Sequence, residues 1–304
     1  DHRVLYIGNS PSAAAFFSEL KNHGEVREVA ILCEKAPATL PDSIAHIPAS
    51  QFTSTLDGDW NSIIIDPEFH PTADQQVQLV KIKLRGTNVG TLADYYEKSW
   101  FQIPVYDIGN DWFLQSSGFA VLTNPAAQRI KRILDIVLSA IVLLVSIPVV
   151  IVCGIAIKIE SRGPVFYSQK RVGLNGQLFT IYKLRTMAES DDREAKWAAA
   201  DDPRVTRVGA FLRKSRLDEL PQAWNVLRGE MSFIGPRPEQ PDFTRWLAKE
   251  IPFYDLRHQV KPGITGWAQV IFPYGASKED AIQKLQYEMY YIKHQSLLLE
   301  LNMR

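Results

Sequence analysis

The amino-acid sequence predicts an α/β protein in two parts: a parallel-sheet domain over residues 1–118, then a mostly helical, membrane-inserted domain over 119–304. Two observations carry this reading. Short apolar runs alternate with helical periodicity through the first part, the pattern of strands joined by crossover helices. Later, Ile136 to Ile157 form 22 residues without a charge, an unusual length for the buried helix of a soluble domain. With 46% apolar and 22% charged residues among 304, two ordinary domains have ample core. The formal net charge of zero gives no surplus for binding nucleic acid. Two distant cysteines, Cys33 and Cys153, make no disulfide framework and point to a reducing compartment.

In the first part, Arg3 to Gly8 reads as a buried strand that leads into a helix from Ser12 to His23. A second strand runs from Val26 to Cys33 and a third from Ser62 to Asp66, ended by Pro67. Thr72 to Arg85 returns to helical periodicity. Such an order suits a doubly wound, Rossmann-like sheet. Gly8-Asn-Ser-Pro-Ser-Ala13, with Glu34 about twenty residues on, imitates a dinucleotide fingerprint. Ser10 stands where the second glycine would let the backbone approach a pyrophosphate, so a domain without cofactor is expected.

A connector, residues 119–132, ends in the basic cluster Arg129-Ile-Lys-Arg132. As one helix the following 22 residues would be about 33 Å long, enough to cross a core of about 30 Å. Pro148 removes a donor and presses on the carbonyl of Leu144, so a break or bend is expected there, with Ser146 able to bond a freed carbonyl. From Arg129 to Arg185 there are nine basic residues and two acidic ones, and the basic ones flank the apolar run on both sides. Lys and Arg collect on the cytoplasmic side. Both a re-entrant segment over 133–159 and a proline-kinked spanning helix satisfy the pattern.

Chemistry is concentrated further on. Asp218 and Glu219 are adjacent carboxylates that follow Arg213, Lys214 and Arg216. Pro221 suits a first helical turn, which would put the pair at a helix N-terminus. Cations nearby keep a carboxylate ionised and hence nucleophilic. A second carboxylate beside it can hold Mg²⁺, which takes oxygen ligands and bridges to phosphates.

The surrounding motifs make the chain resemble the bacterial sugar transferase family of polyprenyl-phosphate phosphoglycosyl transferases, in its large form with an N-terminal α/β domain. Five blocks match in order: Lys131-Arg-Ile-Leu-Asp135; Gly163-Pro-Val-Phe-Tyr-Ser-Gln-Lys-Arg-Val-Gly173; Phe179-Thr-Ile-Tyr-Lys-Leu-Arg-Thr-Met187; Leu217-Asp-Glu-Leu-Pro-Gln222 through Gly235-Pro-Arg-Pro238; and Lys261-Pro-Gly-Ile-Thr-Gly-Trp-Ala-Gln269. The resemblance implies transfer of a sugar 1-phosphate from a UDP-sugar to undecaprenyl phosphate, with release of UMP, as a first membrane step of exopolysaccharide, O-antigen or capsule assembly. Glucose or galactose is the family-level sugar. It further implies Asp218 as nucleophile, Glu219 as Mg²⁺ ligand, and Arg237 as diphosphate clamp. Lys183, Arg185 and Arg213 would bind phosphate or anionic lipid. The expected location is the bacterial inner membrane, catalytic side to the cytoplasm; a homo-oligomer is left open. Family members commonly break the re-entrant helix at Ser-Pro, whereas Ile147 here separates Ser146 from Pro148.

Two other readings compete. One is a membrane-tethered NAD-dependent nucleotide-sugar dehydratase or epimerase, against which stand Ser10 and the lack of a Tyr-x-x-x-Lys pair in the first part. The other is a non-enzymatic membrane scaffold, which leaves Asp218, Glu219 and Arg237 without a task. His258 is expected to pack or lie at the surface, and Trp246, Trp267, Tyr287, Tyr290 and Tyr291 to belong to core rather than an interfacial belt. Asp202-Pro-Arg204 fits an ordinary turn as well as a nucleotide loop. The absent initial Met and the end at Arg304 without a helix stop suggest truncation at both ends.

Overall fold

The computed structural model describes residues 2–24, 26–37, 40–41, 43–119, 122, 124–188, 204–272, 275, 277–296 and 299–300. The chain divides into two compact units, Asp1–Ser116 and Ser117–Arg304.

The first unit holds strands β1 (His2–Ile7), β2 (Val26–Cys33), β3 (Ala45–Pro48), β4 (Ser62–Ile65) and β5 (Asn88–Thr91). They form one parallel sheet in the order β3-β2-β1-β4-β5. Central β1 has Val4 through Ile7 fully buried, which accounts for its continuous apolar sequence. Successive residues serve opposite faces. Val4 and Tyr6 pack with Phe16 of helix α1 (Pro11–His23) and with Tyr95 and Trp100. Leu5 and Ile7 pack with Phe52 of α2 (Phe52–Leu56) and with Leu79 and Ile82 of α3 (Ala73–Leu84). A reciprocal Thr72–Gln75 capping box starts α3. Helices α4 (Leu92–Tyr95) and α5 (Asn110–Gln115) complete the unit.

At the carboxyl end of β1, Gly8 has φ +126°, and a Cβ there would lie 2.3 Å from that of Asp66. The buried Asp66 carboxylate accepts bonds from the Ser10 amide (2.9 Å), the Tyr6 hydroxyl (2.8 Å) and the Glu68 amide (2.8 Å). An internal side chain therefore takes the amide at the start of α1. This is a contact the fingerprint spacing did not foretell.

The second unit begins with α6 (Pro125–Glu160), capped by Asn124, which accepts from the amides of Ala126 and Ala127. At 36 residues it is about 54 Å long if straight. Of the break or bend expected at Pro148, a break is not seen: the helical hydrogen-bonding pattern runs on through it. Ser146 donates to the Leu143 carbonyl at 3.2 Å, not to the Leu144 carbonyl that proline leaves without a helical donor. Hydrogen bonds on either side evidently hold the helix through one missing bond.

Both ends of α6 are fixed to the same unit. Near its start, Arg132 donates to the Val226 and Leu227 carbonyls at 2.6 and 2.8 Å. Asp135 accepts from the Ser232 hydroxyl and the Phe233 amide, each at 3.1 Å. Near its end, Cys153 and Ile157 pack with Leu184 and Leu212, and Glu160 accepts from the amides of Arg207 and Val208. Between these anchors Ile141, Leu144, Val145, Ile147, Ile151 and Val152 are exposed.

Strands β6 (Phe166–Val172) and β7 (Leu178–Leu184) form an antiparallel hairpin. Helix α7 (Arg207–Ser215) follows, then a 3₁₀ turn at Leu217–Glu219 and α8 (Gln222–Arg228). Short β8 (Ser232–Ile234) pairs in parallel with β9 (Gly263–Thr265). Helices α9 (Pro241–Glu250), α10 (Trp267–Ile271) and α11 (Lys278–His294) surround that pair in sequence.

The acid pair lies in its own 3₁₀ turn before α8, and Pro221 is the N-cap rather than a first-turn residue. His258 is buried, and burial beside Arg257 pushes its pKa down to about 4. Tyr287 and Tyr291 are core residues, whereas Trp246 is 42% exposed. Asp202 and Pro203 lie outside the described residues.

Candidate functional site

Five elements of the second unit meet around Asp218 and Glu219. Alternation along β7 puts Phe179, Ile181 and Lys183 on one face. Phe179 and Ile181 join the core with Val226 and Met231. Lys183, the last member of that face, carries its charge to the edge of this core and approaches Glu219 at 3.3 Å.

Helix α7 starts at Thr206, whose hydroxyl accepts from the Gly209 amide. It ends at Arg216 in the left-handed region, φ 57°. A side chain in that conformation costs about 1 kcal/mol, and such strain collects at functional turns. Here the reversal leads straight into the turn that carries the two carboxylates. Arg213, in the last turn of α7, donates to the Thr186 hydroxyl at 2.9 Å.

Asp218 and Glu219 are 7% and 8% exposed. Glu219 Oε1 faces Lys183 at 3.3 Å, Arg237 at 3.5 Å and Arg216 at 3.7 Å. Burial alone would raise the Glu219 pKa, but these three cations outweigh it and hold the group below the usual carboxylate range. Asp218 behaves oppositely. Burial pushes its carboxyl up, Lys183 opposes that most strongly, the Glu219 charge adds to the rise, and Arg213 opposes it more weakly. The Asp218 pKa is thus raised on balance, and the chief charge opposing that rise is a lysine. Asp218 Oδ1 is buried with no hydrogen-bond partner.

Arg237 comes from the loop after β8, where Gly235 and Gly263 let two backbones touch. A Cβ on Gly235 would meet the Lys261 carbonyl oxygen at 2.3 Å, and one on Gly263 would meet the Gly235 nitrogen at 2.2 Å. This close approach accounts for a glycine in each of the two sequence blocks. Gly263→Ala is expected to lower the unfolding free energy by about 2–3 kcal/mol through overpacking, read from the urea midpoint of the detergent-solubilised protein; an unchanged midpoint would contradict it.

Arg171, Ile181, Lys183, Gln222, Arg237 and Pro238 line a narrow cleft. Three cations beside an acid pair suit a ligand with several phosphate charges. Among the described residues no group of three or more His, Cys, Asp or Glu side chains gathers as a metal cage. Mg²⁺ commonly uses one or two carboxylates and completes its shell with substrate phosphates and water. The partnerless Asp218 oxygen next to Glu219 fits that mode.

Of the residues selected from sequence, Asp218, Glu219, Lys183, Arg213 and Arg237 come together. Arg185 does not join them. It is buried and donates to the Arg162 carbonyl (2.6 Å) and the Ser161 carbonyl (2.9 Å) just after α6, which fixes the chain where it leaves that helix. Ser146 and Pro148 lie within α6. Arg171 was not singled out; it stands inside the Gly163–Gly173 block, and that position was the available signal.

A family model described as bacterial sugar transferase matches residues 126–303. The chain is 46% identical over 182 residues to a UDP-N-acetylgalactosamine-undecaprenyl-phosphate N-acetylgalactosaminephosphotransferase of Aeromonas hydrophila, covering 60% of this chain and 43% of that one. It is 40% identical over 178 residues to an undecaprenyl-phosphate glucose phosphotransferase of Komagataeibacter xylinus, covering 56% and 34%. With a UDP-glucose:undecaprenyl-phosphate glucose-1-phosphate transferase of Escherichia coli (strain K12) it shares 41% identity over 175 residues, covering 57% and 38%. The chain spans less than half the length of each of these relatives.

Proposed function

The chain belongs to the bacterial sugar transferase family, and from that premise we propose that it moves a sugar 1-phosphate from a UDP-sugar to undecaprenyl phosphate and releases UMP. The observation that carries the mechanism is a buried carboxylate with a free oxygen, Asp218, beside a glutamate compensated by Lys183, Arg216 and Arg237.

Asp218 attacks the sugar-bearing phosphorus of the donor. A bond forms from its carboxylate oxygen, and the bond to the bridging oxygen breaks, so UMP leaves with the electron pair. An oxygen of the lipid phosphate then attacks the same phosphorus, and Asp218 departs as carboxylate. Two displacements let a water-soluble donor and a lipid acceptor use one site in turn. Lys183, Arg171 and Arg237 orient the diphosphate and neutralise charge as it shifts, the main demand of phosphoryl transfer. Mg²⁺, held by Glu219 with the donor phosphates, would add Lewis-acid charge neutralisation.

Desolvation makes Asp218 costly to ionise, and a poorly solvated carboxylate is a more reactive nucleophile once ionised. The raised pKa is therefore compatible with this role.

The fixing of both α6 ends to one folded unit supports a re-entrant segment over a spanning one. A spanning helix would need Asp135 and Glu160 on opposite sides of the bilayer, while both bond to the same unit. The basic flanks then favour the cytoplasmic face of the inner membrane, and anionic lipid adds attraction. In the first unit, a Rossmann-like reading suits the strand order. Asp66, seated where a dinucleotide's pyrophosphate would approach, argues against the dehydratase or epimerase alternative.

Purified protein given a panel of UDP-sugars without acceptor is expected to release UMP once per chain and to gain a phosphosugar mass on Asp218. An adduct elsewhere, or none in an active preparation, would overturn the mechanism. In right-side-out and inverted vesicles, cysteines placed by Arg129→Cys and Arg162→Cys are expected to react with an impermeant maleimide from the same side. Labelling from opposite sides would establish a spanning helix instead.

A further inference from the structure

The Gly235-Pro-Arg-Pro-Glu239 loop has four consecutive carbonyls held by four different groups. Pro236 accepts from the Gly263 amide (2.9 Å), Arg237 from Arg257 Nη2 (2.8 Å), Pro238 from Arg171 Nη1 (3.2 Å) and Glu239 from the Val172 amide (3.0 Å). Two prolines fix φ on either side of Arg237. Three of the four partners are backbone amides or line the cleft. Arg257 is neither.

Arg257 is 5% exposed and comes from the segment between α9 and β9. Its Nε and Nη2 grip both oxygens of Glu288 on α11, at 2.9 and 2.8 Å, and its Nη1 donates to the Tyr254 hydroxyl at 2.6 Å. Removing two charges from water is expensive, and a well-packed apolar pair often serves stability as well or better. Stability alone therefore does not explain this pair. What an apolar pair cannot supply is a rigid, planar donor aimed at the Arg237 carbonyl.

We propose that Arg257, locked by Glu288 and Tyr254, is a positioning residue for Arg237, fixing the backbone from which that guanidinium reaches the donor's diphosphate. The inference rests on the reading of Arg237 as a diphosphate ligand. Lysine at position 257 would keep the charge but has three donors on one flexible point, against the planar fork that here serves four acceptors, the two Glu288 oxygens, the Tyr254 hydroxyl and the Arg237 carbonyl. A loose carbonyl lets the Arg237 side chain wander, and binding loses the benefit of preorganisation.

The test is a double-mutant cycle on UDP binding, measured by calorimetry on the full chain in detergent for wild type, Arg257→Lys, Arg237→Ala and the double variant. Arg257→Lys is expected to raise the UDP dissociation constant about tenfold when Arg237 is present and to add little when it is absent. An equal loss in both backgrounds, no loss in either, or no UDP binding by wild type would overturn the proposal. Glu288→Gln carries the same cycle if Arg257→Lys fails to fold. UMP release is recorded separately: wild type that binds UDP with the expected coupling but never releases UMP would sink the transfer reading while leaving the positioning role standing.

Discussion

Asp218→Asn is expected to reduce UMP release by at least about 10³-fold, the scale seen when a nucleophile is removed, while leaving the protein as stable as wild type or more so. The two halves of this result have one cause. Asp218 has an oxygen without a partner and a carboxyl whose pKa burial has raised, so the amide costs the fold no hydrogen bond at that atom. The sign of the stability effect follows from linkage. A group with a raised folded-state pKa contributes stability below its unfolded value, near 3.8, and loses that contribution as pH rises through the folded value. Above the folded-state pKa the ionised carboxylate is a burden on the fold, one borne for reactivity. Thermal melts of both proteins across pH are the check: the variant's advantage should grow as pH rises above the ordinary aspartate range. A variant that melts well below wild type at neutral pH would mean Asp218 holds the structure rather than the chemistry.

Lys183→Met is expected to lower kcat/KM about 100-fold, as loss of one preorganised charge does, and to displace the acid limb of the pH–rate profile to higher pH. Lys183 is the strongest charge opposing the effect of burial on Asp218. Without it desolvation acts with less opposition, and Asp218 gives up its proton only at higher pH. Arg213→Gln should shift the limb in the same direction by less, because its opposing effect is smaller. Initial rates of UMP release from pH 4 to 9 measure both. A limb that stays in place for Lys183→Met would assign the titration to some group other than Asp218.

Much of the first unit was legible because each element carries its own signal. β1 is apolar throughout since both its faces are covered, and α3 opens with a capping box. The edge strands β3 and β5 escaped notice. Each has only four residues, and they contain Pro48 and Gly90, which read as breakers. In the second unit the acid pair and Arg237 were legible through their motif blocks. The fate of Arg185 was not: β7 ends at Leu184, so alternation ceases to guide the next side chain, which turns to the carbonyls after α6. Arg257 was opaque for another reason, because its partner Glu288 lies 31 residues away on a different helix. Pro148 was legible as an interruption, yet one missing donor is too little to end a helix that is hydrogen-bonded on either side of it.

Helix α8 connects two of the features above. The acid-bearing turn stands before its first residue, and the Val226 and Leu227 carbonyls near its end are gripped by Arg132 of α6. Seven residues make it about 10 Å long. One short, hydrogen-bonded element thus ties the position of the two carboxylates to the first turns of α6, so a displacement at either end is passed to the other.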